Sequence, residues 1–220
     1  MRRIALELPW DGVAARAGAF GVPGTESRLS RPMRRVHQSR CARALAIELL
    51  GEQGAPDVTG IGKDPRGRPL WPANFVGSLS HTEGYAVAAT AARGRCVALG
   101  VDVEPALPLP VDAGTLVLTD DERDWLATSD PASGRLVFCA KECVHKAIEP
   151  LRDISLEFSD VTIEVDLAAQ RFSPRARGAN AIAAFDGLQA EGVIRRIEEH
   201  WMLVLALFDS TSPGRAGRLG

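Results

Sequence analysis

Two short stretches of this sequence concentrate three carboxylates and two lysines. Gly100-Val101-Asp102-Val103-Glu104-Pro105 supplies two of the acids, and Phe138-Cys139-Ala140-Lys141-Glu142-Cys143-Val144-His145-Lys146 supplies the third with both lysines. Hard divalent cations take oxygen ligands, and magnesium usually shares one or two carboxylates with substrate phosphates. Asp102 and Glu104 close an apolar run of strand length, so alternation puts both on one face while Val101 and Val103 turn the other way, into a core. Two like charges there repel unless a cation or a basic partner joins them. Glu142 and Lys146 have the i,i+4 spacing of one helix face. Alone, that spacing also describes a surface ion pair worth only ~0.2–0.5 kcal/mol. Lys141 and His145 form a parallel pair on the adjacent stripe, and Phe138, on the Glu142 side, is placed to anchor the helix in a core.

Other residues could serve an anion. In Gly77-Ser78-Leu79-Ser80-His81-Thr82 a histidine stands between two hydroxyl residues after a strand-like segment. Imidazolium, hydroxyl and backbone N–H groups all donate to oxyanions. Lys63-Asp64-Pro65-Arg66-Gly67-Arg68-Pro69 is a loop with three cations. The first 43 residues hold nine arginines against three acids, a local basic field in a chain whose formal net charge is only −2.

The elements that must position these groups are legible in outline. Residues 1–9 predict an opening strand, and 10–29, rich in Gly, Ala and Pro, predict a loop. Arg34 to Leu50 has a helical pattern, with Val36, Cys41, Leu45, Ile47 and Leu49 as expected buried positions and Gly51 as its stop. Residues 51–74 predict a long connection, then 75–80 and 84–92 two strands around Thr82-Glu83-Gly84. Residues 96–103 read as a strand buried on both faces, ended by Pro105, Pro108 and Pro110. Thr119-Asp120-Asp121-Glu122 resembles a capping box opening a short helix. Residues 135–149 predict a second helix ended by Pro150. Strands are expected at 156–166, 181–186, 192–197 and 201–208, with a turn over 170–181 and a disordered tail from Ser210. Helices followed by antiparallel strands place the chain in the α+β class, with the proline-rich stretch after Glu104 as the boundary between halves 1–104 and 105–209.

Composition narrows the possibilities. With 220 residues, 45% hydrophobic and 25% charged, the chain has the balance of a globular domain, and its net charge argues against a nucleic-acid partner. Cys41, Cys96, Cys139 and Cys143 form no CxxC pair and are expected to be reduced thiols. Glu7, Pro9 and Asp11 interrupt any leader-like apolar segment, no run has the length of a membrane helix, and the expected location is the cytoplasm.

The order of these elements resembles the 4′-phosphopantetheinyl transferases. Gly67-Arg68-Pro69-x-Trp71-Pro72, the Gly77–Thr82 stretch, the Gly100–Pro105 stretch and Phe138-x-x-Lys141-Glu142-x-x-x-Lys146 carry the resemblance, and Arg40 to Gly51 matches in character and length. It covers roughly residues 30–165 and is nearest the branch serving siderophore, nonribosomal peptide and polyketide synthesis, as in mycobacteria and other actinobacteria. The resemblance implies two pseudo-symmetric α/β halves, each with helices on a small, mostly antiparallel sheet. Coenzyme A would lie between them as co-substrate, nucleotide on the side of the first half. It implies magnesium, which manganese could replace, and an apo acyl or peptidyl carrier protein whose serine accepts the phosphopantetheine arm. It also implies a monomer with no nucleic-acid or membrane partner.

Carried over by position, Asp102, Glu104 and Glu142 match the metal-binding acids, and Lys146 the lysine on the diphosphate. Glu142 and Lys146 thereby become the expected catalytic pair. Ser80 and His81, with Thr82 beside them, match the pair holding the 3′-phosphate and neighbouring groups, and Arg40 a grip on the nucleotide end. Either Arg66 or Arg68 matches a loop cation. Pro32 stands where relatives have a further arginine, for which Arg31 or Arg34 could substitute, and His145 stands where an aromatic residue is usual. Two other readings use the same residues: a magnesium-dependent phosphohydrolase acting on a nucleotide or coenzyme A, and a non-enzymatic coenzyme A-binding protein. The segment 105–134, with Leu116, Leu118, Trp125 and Leu126, is the expected carrier-facing surface.

Overall fold

The structure is a computed structural model and describes residues 1–20 and 30–211. Four layers stack in the order helix, sheet, sheet, helix. The first sheet contains β1 (Arg2–Leu6), β2 (Val13–Ala19), β5 (Phe75–Thr82) and β6 (Tyr85–Ala92) in the antiparallel order β1-β2-β6-β5. Its outer face carries α1 (Arg31–Glu52). The second sheet has the order β7-β11-β10-β9-β8, from β7 (Ala98–Pro105), β8 (Val161–Asp166), β9 (Arg171–Ala176), β10 (Leu188–Ile197) and β11 (His200–Asp209). Its outer face carries α4 (Ser133–Arg152). The short hairpin β3 (Gly62–Lys63) and β4 (Pro69–Leu70) and the helices α2 (Val111–Val117), α3 (Asp120–Leu126) and α5 (Ala179–Phe185) complete the chain.

Alternation explains the layers. In β6, Ala86 and Ala88 face α1, packing on Leu45, Leu49 and Leu50, while Val87, Ala89 and Ala91 face the second sheet. In β7, Leu99, Val101 and Val103 join that inner layer with Met202, Val204 and Ala206. The alternate positions Ala98, Gly100 and Asp102 turn toward α4. A Cβ on Gly100 would lie 1.8 Å from the Cys143 carbonyl oxygen, so a side chain there would hold the helix away. Strand β7 therefore belongs by hydrogen bonding to the second sheet, although the sequence reading ended the first half with it.

Several expectations need correction. Residues 10–29 are not all loop: β2 is a central strand, with Val13, Ala15 and Ala17 buried. Its Ala and Gly have little strand propensity, and its neighbours β1 and β6 supply the pairing instead. Residues 21–29 lie outside the described part. Helix α1 begins at Arg31, with Pro32 in the first turn where a missing N–H is tolerated, and it runs past Gly51. Gly54, at φ 92°, takes the left-handed conformation instead. Val36 is exposed. The expected turn over 170–181 contains β9, and the expected strand at 181–186 is helix α5, an Ala-rich run too short for periodicity to decide. Helix α2 was not anticipated, and α4 continues two residues beyond Pro150. The tail from 212 also lies outside the described residues.

Gly100→Ala is expected to destabilise the protein by about 3 kcal/mol or more, because backbone cannot move aside cheaply in a packed core. Gly51→Ala, with nothing within 4 Å of its new Cβ, should gain a few tenths to ~1 kcal/mol as a helical control. Urea unfolding midpoints of the two variants test the contrast.

Candidate active site

The edge strands β5 and β7 of the two sheets run beside one another. Two serines one alternation apart stitch them: Ser78 Oγ accepts the Val101 N–H at 3.0 Å, and Ser80 Oγ donates to Asp102 Oδ1 at 2.5 Å. From α4, Lys146 Nζ donates to the same Asp102 oxygen at 2.6 Å, to Ser80 Oγ at 3.0 Å and to the Val101 carbonyl at 3.3 Å. The close approach at Gly100 brings Lys146 within reach. Lys146 thus pairs with Asp102 and not with its helical neighbour Glu142, so the surface-pair alternative does not describe it. Burial works against the Lys146 charge, but Asp102 raises its pKa overall.

Asp102 is 3% exposed, and its second oxygen, Oδ2, is buried with no hydrogen-bond partner in the protein. Glu104 lies further along the same strand with Arg135 Nη1 at 3.2 Å. Burial pushes the Glu104 pKa up, Asp102 adds to this, Arg135 opposes it, and the result is about 7. Burial also raises Glu142, partly offset by Lys146 and reinforced by Asp102. Asp102 therefore lies within electrostatic reach of both Glu104 and Glu142. Among the described residues, however, no three His, Cys, Asp or Glu side chains converge closely enough to hold an ion on their own. An orphaned carboxylate oxygen beside acids that resist ionisation fits a hard cation completed by phosphate oxygens, not an all-protein cage.

Two cavities flank this knot. One, of about 690 Å³, is lined by Arg35, Arg40, Arg43, Lys63, His81 and Thr82. Burial and then the charges of Lys146, Arg35, Arg43 and Lys63 lower the His81 pKa. Arg43 is held by the Ile61 carbonyl at 3.0 Å and Ser39 Oγ at 2.5 Å, with its charge left for an anion. The other, of about 460 Å³, is lined by Arg66, Arg68, Trp71, Glu142, His145 and Lys146 among others. Its histidine stacks on Phe158 with centroids 4.8 Å apart.

The expected site residues are thus divided. Arg40, His81 and Thr82 share the first cavity. Arg66 and Arg68 both border the second, away from His81. Arg68 is bound to Asp64 through Nε at 2.6 Å, whereas Arg66 reaches only the exposed Asp153, at 2.5 Å. Ser80, expected beside His81 on a phosphate, instead belongs to the Asp102 knot. Of the upstream arginines, Arg35 lines the cavity, and Arg31 and Arg34 do not. Arg43 and Arg135 were not singled out, and Lys63 only as part of the cationic loop; the i,i+3 spacing of Arg40 and Arg43 was the available signal for one of them.

Lys141 has a different role from Lys146. It is fully buried, and its ammonium meets Glu122 Oε2 at 2.8 Å and the Val117 and Phe158 carbonyls, each at 2.7 Å. Glu122 closes the anticipated capping box on the Thr119 N–H and also accepts the Ile163 N–H at 2.7 Å. The pair fastens α3 and β8 to α4. No disulfide joins the four cysteines, and no helix among the described residues is long and apolar enough to cross a membrane.

An α+β protein with an acid–lysine knot between two cationic cavities is thus defined by its geometry. The sequence model of the 4′-phosphopantetheinyl transferase N-terminal domain matches residues 30–91, and that of the 4′-phosphopantetheinyl transferase superfamily matches residues 98–189. The chain is 35% identical over 170 residues to the 4′-phosphopantetheinyl transferase Svp of Streptomyces mobaraensis, covering 72% of this chain and 69% of that one. It belongs to the 4′-phosphopantetheinyl transferase superfamily. It is also 43% identical over 129 residues to the 4′-phosphopantetheinyl transferase Npt of Nocardia iowensis, spanning 57% of this chain and 58% of the relative's length. A solved structure described as an ACPS-CoA complex from Chronobacterium ammoniagenes aligns with a TM-score of 0.41 at 17% identity, over 50% of this chain and 96% of that one.

Two outcomes follow from the buried charges. Lys141→Met leaves Glu122 uncompensated and is expected to cost about 3–5 kcal/mol of stability, read from urea unfolding. The raised Glu104 pKa means that the folded state keeps its proton longer than the unfolded chain. The associated stability is complete below the unfolded carboxyl value and is lost as pH rises through about 7. In metal-free buffer, wild type should therefore lose on the order of 2 kcal/mol relative to Glu104→Gln between pH 4.5 and 8. A pH-independent difference between the two proteins would contradict this.

Proposed function

We propose that the protein transfers the 4′-phosphopantetheine arm of coenzyme A to a serine of an apo acyl or peptidyl carrier protein. The observation that carries this reading is the unpartnered, buried Asp102 Oδ2 beside Lys146, set between two cation-lined cavities. Arg40, Arg43, Lys63, His81 and Thr82 would grip the phosphorylated nucleotide end. An arriving phosphate favours the charged form of His81, opposing the burial that disfavours it. Lys146 lies between the cavities and would neutralise the diphosphate. The arm would continue into the cavity walled by Trp71 and His145.

Asp102, Glu104 and Glu142 would hold magnesium, or manganese in its place, which supplies charge stabilisation at the diphosphate. The carrier serine attacks the β-phosphorus, and adenosine 3′,5′-bisphosphate leaves. Glu142 borders the second cavity, where its carboxylate would take the serine proton. The nucleotide-holding role falls to the first half of the chain and the proton-handling role to α4 of the second. On the carrier side, Leu107, Val111 and Leu116 stand 56%, 85% and 76% exposed along α2 and the segment before it, whereas Leu118 is buried. The protein would act as a monomer in the cytoplasm, where it meets its co-substrate.

Purified protein with coenzyme A, magnesium and an apo-carrier panel should produce holo-carrier, seen by mass spectrometry as the gain of one phosphopantetheine. Glu142→Gln should fold with the wild-type melting temperature and lose roughly 100-fold or more in transfer rate. Coenzyme A cleavage that is equally fast without carrier would establish a phosphohydrolase instead. Binding of coenzyme A with neither reaction would establish a non-enzymatic binder.

A further inference from the structure

We propose that Ser80 is a positioning residue for Asp102 and Lys146 and is not a ligand of the coenzyme A phosphate. The inference rests on the reading of Asp102 as a metal-holding acid.

Ser80 and His81 are adjacent in β5, so their side chains leave opposite faces of the strand. His81 lines the arginine-walled cavity, while Ser80 is absent from its wall and only 8% exposed. The Ser80 hydroxyl is committed in both directions. It donates to Asp102 Oδ1 at 2.5 Å and accepts from Lys146 Nζ at 3.0 Å. A hydroxyl has one proton to give, and this one is given to a carboxylate, leaving none for a phosphate. Its counterpart Ser78 acts in the same direction, taking the Val101 N–H across the same seam.

The consequence lies on the other carboxylate oxygen. With Oδ1 held by Ser80 and Lys146 together, the Asp102 carboxylate cannot rotate freely, and Oδ2 is the atom left without a partner. Groups that bond to a metal-ligating carboxylate fix its orientation, and their removal commonly weakens metal affinity by about 10–100-fold. Ser80 therefore acts through Asp102 on the cation, and through Lys146 on the position of the neighbouring positive charge.

Two binding measurements separate positioning from phosphate contact. Manganese binding is read by electron paramagnetic resonance on protein saturated with coenzyme A, whose diphosphate completes the cation's shell, and coenzyme A binding by calorimetry in EDTA. Ser80→Ala is expected to weaken manganese roughly tenfold and to leave metal-free coenzyme A affinity unchanged. Ser80→Thr and Ser80→Val are nearly isosteric, so this pair isolates the hydroxyl even if the alanine variant folds poorly. The threonine variant should bind manganese more tightly than the valine variant, at equal coenzyme A affinity. A loss of coenzyme A affinity in EDTA as large as the manganese loss overturns the proposal, as does equal manganese binding in Ser80→Thr and Ser80→Val. Wild-type protein that binds no manganese even when saturated with coenzyme A overturns the metal-site reading itself, and does so before any variant is compared.

Discussion

The ion pair between Asp102 and Lys146 is the contact on which the arrangement of both halves turns. It joins the edge strand of the second sheet to the helix covering that sheet, and through Ser80 it also holds the edge strand of the first. The pair exists because three local features agree. Alternation in β7 turns Asp102 toward α4, Gly100 lets the helix backbone come close, and the helical repeat sets Lys146 about one turn beyond Cys143. The inner apolar layer of Val101, Val103, Val87 and Met202 fixes the relative height of the two sheets, so the polar seam falls where hydrophobic packing puts it. Lys146 reaches the carboxylate from a part-exposed position, where the cost of desolvating a charge is smaller than in the full interior.

The same geometry leaves an electrostatic imbalance. Around Asp102, burial disfavours the charged forms of Glu104 and Glu142, and Lys146 and Arg135 compensate only in part. A closed structural site would have removed this tension with further ligands or hydrogen bonds. Here it persists in an orphaned oxygen and an acid with a pKa of about 7. A ligand that adds positive charge relieves it, and any species binding only the folded state adds stability in proportion to its occupancy. The cationic cavity around Arg40 and His81 has the opposite imbalance: clustered positive charge and a histidine held neutral. A molecule carrying phosphate at one end, with a metal-associated diphosphate in its middle, offsets both at once.

Much of this was legible in the chain. The alternation of Val101, Asp102, Val103 and Glu104 fixed which side chains face the core, and the 3.6-residue repeat put Glu142 and Lys146 on one side of a helix. The capping box at Thr119 was readable because its chemistry is local. The failures share a cause. Strands β2 and β9 are rich in Ala, Gly, Ser, Pro and Arg, whose strand preferences are weak or contrary, and helix α5 is too short for periodicity to decide, so tertiary neighbours settle their state. In the site, Ser80 and His81 read as one unit in sequence, while the strand splits them between a buried seam and an open cavity. Partner choice between a helix and the sheet it covers has no signature in a single sequence, and Arg135 of α4 on Glu104 of β7 was invisible for that reason.

Lys141 and Lys146 show how little residue type says about role. They lie on the same helix, and each pairs with a carboxylate. Lys141 has all three of its protons taken by protein oxygens and no exposure, so it has nothing left to give a ligand. Lys146 also has protein acceptors, but 29% of its side chain is exposed, it borders a cavity, and the carboxylate it holds has a second oxygen without a partner. A fully satisfied buried pair fixes structure; an under-satisfied pair at a cavity wall retains capacity to respond. By that criterion Lys141 sets the height of α4 against α3 and β8, and the height of α4 in turn decides whether Glu142 and Lys146 stand opposite Asp102.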